Sequence, residues 1–279
     1  MVLECWANDC KFSRWGVAVI LRQDLMLDSD NISLATSFFL PSSLGPHPGL
    51  VICHGMPVGQ QTDAGSPVVL ENGMDYPTLA EWCALEGFAT VIFNFRGTGQ
   101  SGGNFHQLGW AQDLDAVVSW LQGKTEIDST RIVLFGSSLG AAVAIYVAAH
   151  RQDVAGLVSF ASPAIMNSRA EPAKAVERMR EMGIIRDRDF PPSLDEWARE
   201  GEILSPVEWI ADVAPRPLLI LHGDADDTVN PDDARILFER AGEGKELQML
   251  VGVGHRFRQE RTAAAMALEW LKENFLYLD

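Results

Sequence analysis

The stretch Arg131-Ile-Val-Leu-Phe-Gly136-Ser137-Ser138-Leu139-Gly140 constrains this chain more than any other. An apolar, partly β-branched run stops at Gly-Ser-Ser-Leu-Gly, and a small-residue helical pattern follows from Leu139 to about His150. A strand that becomes a helix within so few residues holds the residue between them in strained backbone geometry and needs small neighbours on both sides. Gly136 and Gly140 supply that room. The hydroxyl of Ser138 is then expected at the carboxyl end of a sheet, at the mouth of a helix. A Ser/Gly-rich turn without chemistry is the other reading of the pentapeptide, and the flanking strand and helix weigh against it.

The rest of the chain repeats that alternation. Apolar runs that read as strands are Gly49 to His54, Ala89 to Phe93, Val154 to Phe160, Pro217 to His222 and Leu247 to Val251. Helical spacing covers Tyr76 to Glu86, Leu108 to Leu121, Pro231 to Ala241 with Asn230 as N-cap, and Arg261 to Phe275. Alternation of this kind predicts a mostly parallel sheet with helices on both faces. Two earlier strands, Val17 to Leu21 and Ile32 to Leu40, follow each other across a polar turn (Asp28 to Asn31) and read as antiparallel additions at one edge. Residues 1–14 are irregular, and Val58 to Asp75, rich in Gly and Gln, reads as a long loop. Residues 163–212 change character, with charged helical patterns near Lys174 to Met182 and Ser193 to Glu200 around a Pro191-Pro192 break. The expected organisation is a core of residues 1–162 and 213–279 with a helical cap inserted at 163–212.

Composition narrows the function. A net charge of −16 argues against a general nucleic-acid or anionic-membrane binder, since neutralising phosphate needs clustered Lys and Arg. No basic segment followed by an apolar run opens the chain, and no window approaches about 18 apolar residues. The four cysteines, Cys5, Cys10, Cys53 and Cys83, have no metal-ligand spacing. A reducing, cytoplasmic setting with no metal is the expectation.

In a parallel sheet, functional groups belong on the loops at the carboxyl ends of the strands. Three such loops carry Ser138, then Asp226 in Gly223-Asp-Ala-Asp226-Asp227-Thr-Val229, then His255 in Gly252-Val-Gly254-His255. A serine hydroxyl is a weak nucleophile that needs a base within hydrogen-bond reach, and the base needs an anionic orienter. Asp224 and Asp227 compete with Asp226 for the last role.

Five motifs in order, His54-Gly55-Met56-Pro57, Arg96-Gly97-x-Gly99-x-Ser101, the turn at Ser138, His222-Gly223-x-x-Asp226-x-x-Val229 and Gly254-His255, resemble the α/β-hydrolase family. The likeness is nearest to its esterase-like and serine-aminopeptidase-like single-domain members. It implies a mostly parallel eight-stranded sheet with helices on both faces and a helical cap. It implies Ser138 as nucleophile, His255 as general base and then acid, and Asp226 as orienter. It also implies an oxyanion hole from the backbone N–H groups of Met56 and Leu139. Asn94 stands where the family usually has Asp, which bears on how Arg96 is paired.

Other residues bear on the pocket. His54, His106, Trp110, Met179 and Ile184 are candidates to line it, and Met182 and Ile185 are candidates to face inward from the insert. His54 and His222, each before a Gly at a strand end, otherwise serve as hydrogen-bonding groups within their loops. His150 is expected at the last carbonyls of a helix, and His47, among prolines, in solvent. Arg178, Arg180, Arg186 and Arg188 read as a solvated face and Trp197 and Trp209 as core or pocket.

The expected activity is hydrolysis of a carboxylic ester through an acyl group on Ser138, without an organic cofactor. A peptidase or amidase using the same residues is the alternative, although no propeller region precedes the hydrolase stretch to sieve peptides. A binding protein on the same scaffold would have no need of all three groups. The expected partner is a small-molecule ester or short peptide, with no nucleic acid and no membrane.

Overall fold

The computed structural model describes residues 19–57, 74–166, 171–256 and 260–277. Residues 1–14 with Cys5 and Cys10, the start of the strand expected at Val17, and most of the loop from Val58 to Asp75 lie outside them. Along the chain run β1 (Ile20–Ser29), β2 (Ile32–Pro41), β3 (His47–Cys53), α1 (Tyr76–Leu85), β4 (Ala89–Phe93), α2 (Gln107–Gln122), β5 (Ile127–Ser137) and α3 (Leu139–His150). There follow β6 (Val154–Phe160), α4 (Pro172–Glu181), α5 (Leu194–Ile203), α6 (Pro206–Trp209), a 3₁₀ turn (Ile210–Val213), β7 (Leu218–Gly223), α7 (Asp232–Arg240), β8 (Lys245–Leu250) and α8 (Arg261–Phe275).

One sheet orders the strands β1-β2-β4-β3-β5-β6-β7-β8. The pairs from β4 through β8 are parallel, while β1–β2 and β2–β4 are antiparallel. The central strands are apolar throughout because both faces are covered. In β3, Val51 and Cys53 enter the core under α2 and α3, and Leu50 and Ile52 enter the core under α1 and α8. In β5, Ile132 and Leu134 alternate in the same way with Val133 and Phe135. The period of two thus feeds two cores from one run of sequence. The thiols of Cys53 and Cys83 are buried, and that burial pushes both up, Cys83 to about 12.

The first hairpin differs from its expected form. Strand β1 extends to Ser29, and the turn is only Asp30-Asn31, both in the left-handed region at φ 52° and 62°. Asp and Asn tolerate that region, and a two-residue turn of this hand matches strand twist. The strand is hard to read because Leu21 to Asp24 are exposed on an edge, so no burial pattern marks them. Asn230 also sits one place early. The N-cap of α7 is Pro231, and the Asn230 side chain accepts the N–H of Asp232 at 3.0 Å. Helix α6 and the 3₁₀ turn carry no periodic signal, being about one turn each.

The insert between β6 and β7 shares the core of α2 and α3 through Val176, Ile184, Ile185, Trp197 and Leu204. Arg178 and Arg188 are exposed as expected, but Arg180 and Arg186 are tied to backbone carbonyls. Arg186 donates to the carbonyls of Ser101, Gly97 and Gly99 at 2.7, 3.1 and 3.0 Å. Arg180 donates to those of Arg188 and Phe190 at 3.0 and 2.7 Å. His47, expected in solvent, is buried, its backbone N–H donating to Glu126 O at 2.8 Å. Pro48 beside it is buried in the same strand, while Pro46 in the connection from β2 stays exposed.

Candidate active site

Ser138 sits between β5 and α3 at φ 55°, ψ −124°. A non-glycine residue there is strained by about 1–3 kcal/mol, and it is held by its surroundings. The N–H of Ser138 donates to Phe160 O on β6 at 2.8 Å, and its carbonyl accepts from Ala141 N at 2.9 Å. A Cβ at Gly136 would overlap the backbone of Ala141, and one at Gly140 the carbonyls of His54 and Cys53. The helix can therefore start this close to the sheet only with glycine at both places. Gly55 is confined for the same reason. A Cβ there would lie 2.9 Å from Ser138 Cβ, so the His54-Gly55-Met56-Pro57 loop rests on the serine. Met56 follows directly, and Leu139 opens α3, where the first N–H groups of a helix have no partner within it.

The Ser138 hydroxyl lies 3.0 Å from His255 Nε2, and His255 Nδ1 lies 2.8 Å from Asp226 Oδ2. The imidazole is half-buried and the carboxylate fully buried. Asp226 Oδ1 accepts the backbone N–H groups of Thr228 and Val229 at 2.8 and 2.9 Å. Burial would push the Asp226 carboxyl up, but the N–H of Val229, the His255 ring and the N–H of Thr228 together hold it below the usual carboxylate range. Its two rivals face elsewhere. Asp224 accepts the N–H of Gly252 at 2.6 Å, and Asp227 is exposed and accepts from its neighbour Thr228. A hydroxyl, an imidazole and an ionised carboxylate in this line can pass a proton from oxygen to ring and stabilise the cation that results.

His222 also reaches the carboxylate, with Nε2 3.1 Å from Asp226 Oδ2. Sequence reasoning placed it within its loop but gave it no link to the site. No spacing signals the link, since His222 and Asp226 belong to one motif whatever the ring does.

The other pocket candidates do not gather here. The His54 ring donates from Nδ1 to Gly55 O at 2.7 Å and accepts the N–H of Phe95 at Nε2, 3.2 Å away, so it braces the loop under Met56. Trp110 and Ile184 have no exposed surface and are core residues, not pocket walls. Trp110 stacks on Phe95 with ring centroids 4.3 Å apart and donates to Arg96 O at 3.1 Å. Ile185 is equally buried, and Met179 and Met182 are half-buried against the same core. His106 precedes α2 between Arg96 and Glu200. Trp197 is buried and donates to Phe105 O at 3.3 Å, while His150 Nδ1 contacts Tyr146 O at the end of α3. Arg96 pairs with Asp113, not with the residue at position 94. Among the described residues, no group of three or more His, Cys, Asp or Glu side chains is placed to hold a metal ion, and no helix is long and apolar enough to cross a membrane.

This architecture is that of the α/β hydrolases. The hydrolase GrgF from Penicillium sp. superposes with a TM-score of 0.71 at 19% identity, covering 92% of this chain and 100% of that one. The esterase PF2001 of Pyrococcus furiosus gives a TM-score of 0.66 at 20% identity, covering 92% of each chain. In sequence, the uncharacterized protein Rv2307c of Mycobacterium tuberculosis is 28% identical over 236 residues, 84% of this chain and 72% of its own length. The signature of the prolyl oligopeptidase family matches residues 75–276, a span that holds Ser138, Asp226 and His255, and the chain belongs to that family.

Proposed function

We propose that this hydrolase is a serine hydrolase that cleaves carboxylic esters through an acyl group carried on Ser138. The observation that carries the reading is the unbroken line from Ser138 Oγ through His255 to Asp226, at 3.0 and 2.8 Å. His255 takes the serine proton as the hydroxyl adds to the ester carbonyl. The ring then gives that proton to the departing alcohol. Water, activated by the same ring, releases the acid and restores the serine. Asp226 holds the ring with its protonated nitrogen turned away from the serine and stabilises the imidazolium. The N–H groups of Met56 and Leu139 are assigned to the oxyanion that forms on the carbonyl oxygen.

Amide hydrolysis by the same residues is the second reading, and the family match favours it. The likeness to a solved esterase favours the first. Residues 163–212 are assigned as a cap over the site. In support, Arg186 and Ile184 bind the loop at the carboxyl end of β4, where Ile184 O accepts Phe105 N–H at 2.8 Å. Met179 and Met182, both half-buried, are the insert side chains assigned to touch an acyl chain, and Ile184 secures the cap from below. A small-molecule ester or short peptide in a reducing, cytoplasmic setting is the substrate assigned, which suits two buried free thiols and a net charge of −16.

A fluorophosphonate probe should label the native chain at Ser138, and Ser138→Ala should lower ester turnover by ~10⁴–10⁶-fold with the fold intact. Labelling at another residue, or a Ser138→Ala variant that keeps its activity, would overturn the assignment. Matched acyl esters and aminoacyl anilides then separate the two readings.

A further inference from the structure

Asp226 Oδ2 has two imidazole neighbours, His255 Nδ1 at 2.8 Å and His222 Nε2 at 3.1 Å. His222 lies near the end of β7 with its side chain fully buried, four residues before Asp226. Its Nε2 also faces the carbonyl of Val229 at 3.3 Å. A carboxylate oxygen and a carbonyl can only accept, so Nε2 must carry the hydrogen. The other ring nitrogen, Nδ1, is buried and has no hydrogen-bond partner among the described residues. A proton there would be a donor facing nothing, so the ring is held in one neutral tautomer.

We propose that His222 is a positioning residue for the Ser138 site, its Nε2–H sharing Asp226 Oδ2 with His255 so that the carboxylate is aimed at the His255 ring and its pull on that ring is moderated. The inference rests on the reading of Ser138, His255 and Asp226 as one catalytic unit. Geometry supports it in two ways. The backbone N–H groups of Thr228 and Val229 fix Oδ1, and His222 is a second side chain, beside His255, that holds Oδ2. The second contact of His222, on Val229 O, ties the same ring to the turn that supplies those N–H groups. Burial lowers the His222 ring below the ordinary histidine range, and Asp226 opposes this without reversing it. The remaining acids of the loop, Asp224 and Asp227, are turned to Gly252 N–H and Thr228 Oγ1.

A donor on Oδ2 draws off part of the negative charge that stabilises a protonated His255. Removing it should raise the titration midpoint of the His255 ring, and a purely structural role would not. The experiment is a ¹⁵N–¹H NMR titration of the imidazoles in the native chain, His222→Leu and His222→Gln, with pH profiles of ester turnover on the same proteins. In the native chain His222 should show hydrogen on Nε2 and no titration in the neutral range. This needs no variant to fold. In His222→Leu the His255 midpoint should rise by roughly half a pH unit or more. The acid limb of turnover should move with it, and turnover at the plateau should fall about ten- to a hundredfold. Gln places an N–H near the lost one, so His222→Gln should return both midpoint and limb most of the way. An Nδ1-protonated or neutral-range-titrating His222, or a His255 midpoint unmoved in His222→Leu, would overturn the proposal. So would a His222→Gln variant as shifted as His222→Leu. The NMR readout does not depend on turnover. If Ser138 proves unreactive while the His255 midpoint still shifts, the catalytic reading fails and the pairing of His222 with Asp226 stands.

Discussion

Asp113 and Asp226 are both carboxylates with fully buried side chains, and they differ in what faces them. Asp113 is wholly occupied by Arg96. Its Oδ1 accepts Nε and Nη2 at 3.0 and 2.8 Å, and its Oδ2 accepts the Arg96 backbone N–H at 2.7 Å. The guanidinium does not lose its proton in a protein, so the pair has one state. Asp226 faces two backbone N–H groups and two imidazoles. One of those rings, His255, is half-buried and lies against a hydroxyl. A buried acid next to a permanent cation joins parts of the fold, whereas one next to a titratable ring can respond to chemistry. Burial alone does not tell the two apart.

Replacing each acid by its amide should separate them. Asp226→Asn should cost on the order of 10⁴-fold in turnover, because an amide donor at this position favours the wrong His255 tautomer. Stability should fall less than in Asp113→Asn, since the remaining oxygen can still accept from Thr228 and Val229 and no cation is left unpaired, although the amide N–H now opposes His222 Nε2–H. Asp113→Asn should do the reverse. It leaves the Arg96 guanidinium, only 7% exposed, without its anion, and breaking such a pair is worth about 3–5 kcal/mol. Turnover per folded molecule should stay within a few-fold. Urea unfolding and active-site titration of the two variants measure both quantities. An Asp113→Asn variant as stable as the native chain but nearly inactive would break the comparison.

Acid stability sharpens it further. The native His222 ring is held below the ordinary histidine value, while an unfolded histidine protonates near about 6.5. Below that pH the unfolded chain binds a proton that native His222 resists. Its contribution is therefore complete above about pH 6.5 and is lost as pH falls through its lower native value. Asp226, also held low, acts with the same sign in a lower window that opens near about pH 4. His222→Gln should remove the upper loss and leave the lower one. Urea midpoints measured from pH 8 to pH 3 test this. Parallel curves for the two proteins between pH 7 and 5 would contradict a buried neutral ring.

The two acids were not equally legible in the sequence. Asp226 sits in a loop motif after an apolar run, and Ser138 between bracketing glycines, so local chemistry marks both. The alternating sheet was legible for the same reason, since strands buried on both faces are continuously apolar. Asp113 lies on a helix whose apolar stripe says nothing of a buried charge, and its partner is 17 residues away across a glycine-rich loop. The roles of His106, Trp110 and Ile184 were missed on similar grounds. A ring or aliphatic group near a motif reads as pocket or core alike until packing from α5 and the insert decides. The extent of strand β1 is not legible because an exposed edge carries no burial pattern.

The smallest effect belongs where the Asp113 side meets the insert. His106 Nε2 lies 3.2 Å from Arg96 Nη1, which can only donate, and its Nδ1 faces both the N–H of Gly109 at 3.1 Å and the Glu200 carboxylate on α5 at 2.9 Å from Oε2. Glu200 Oε2 also accepts the N–H of Leu108 at 3.0 Å. The chain Asp113–Arg96–His106–Glu200 therefore extends the fixed pair out to the insert. Its outer end is partly wet, with the His106 and Glu200 side chains 19% and 21% exposed. Solvent screens it, and its acceptor role does not require a charge. Glu200→Gln keeps an oxygen for the Leu108 N–H and a polar group beside His106, so it should lower stability by no more than about 1 kcal/mol. In a domain of this size that is a shift of about 2–4 °C or less in Tm. Glu200→Leu removes the acceptor altogether and should cost more. If Glu200→Gln were as damaging as Asp113→Asn, the charge would matter at the insert as much as in the core, and the gradient from fixed interior to wet rim would not exist.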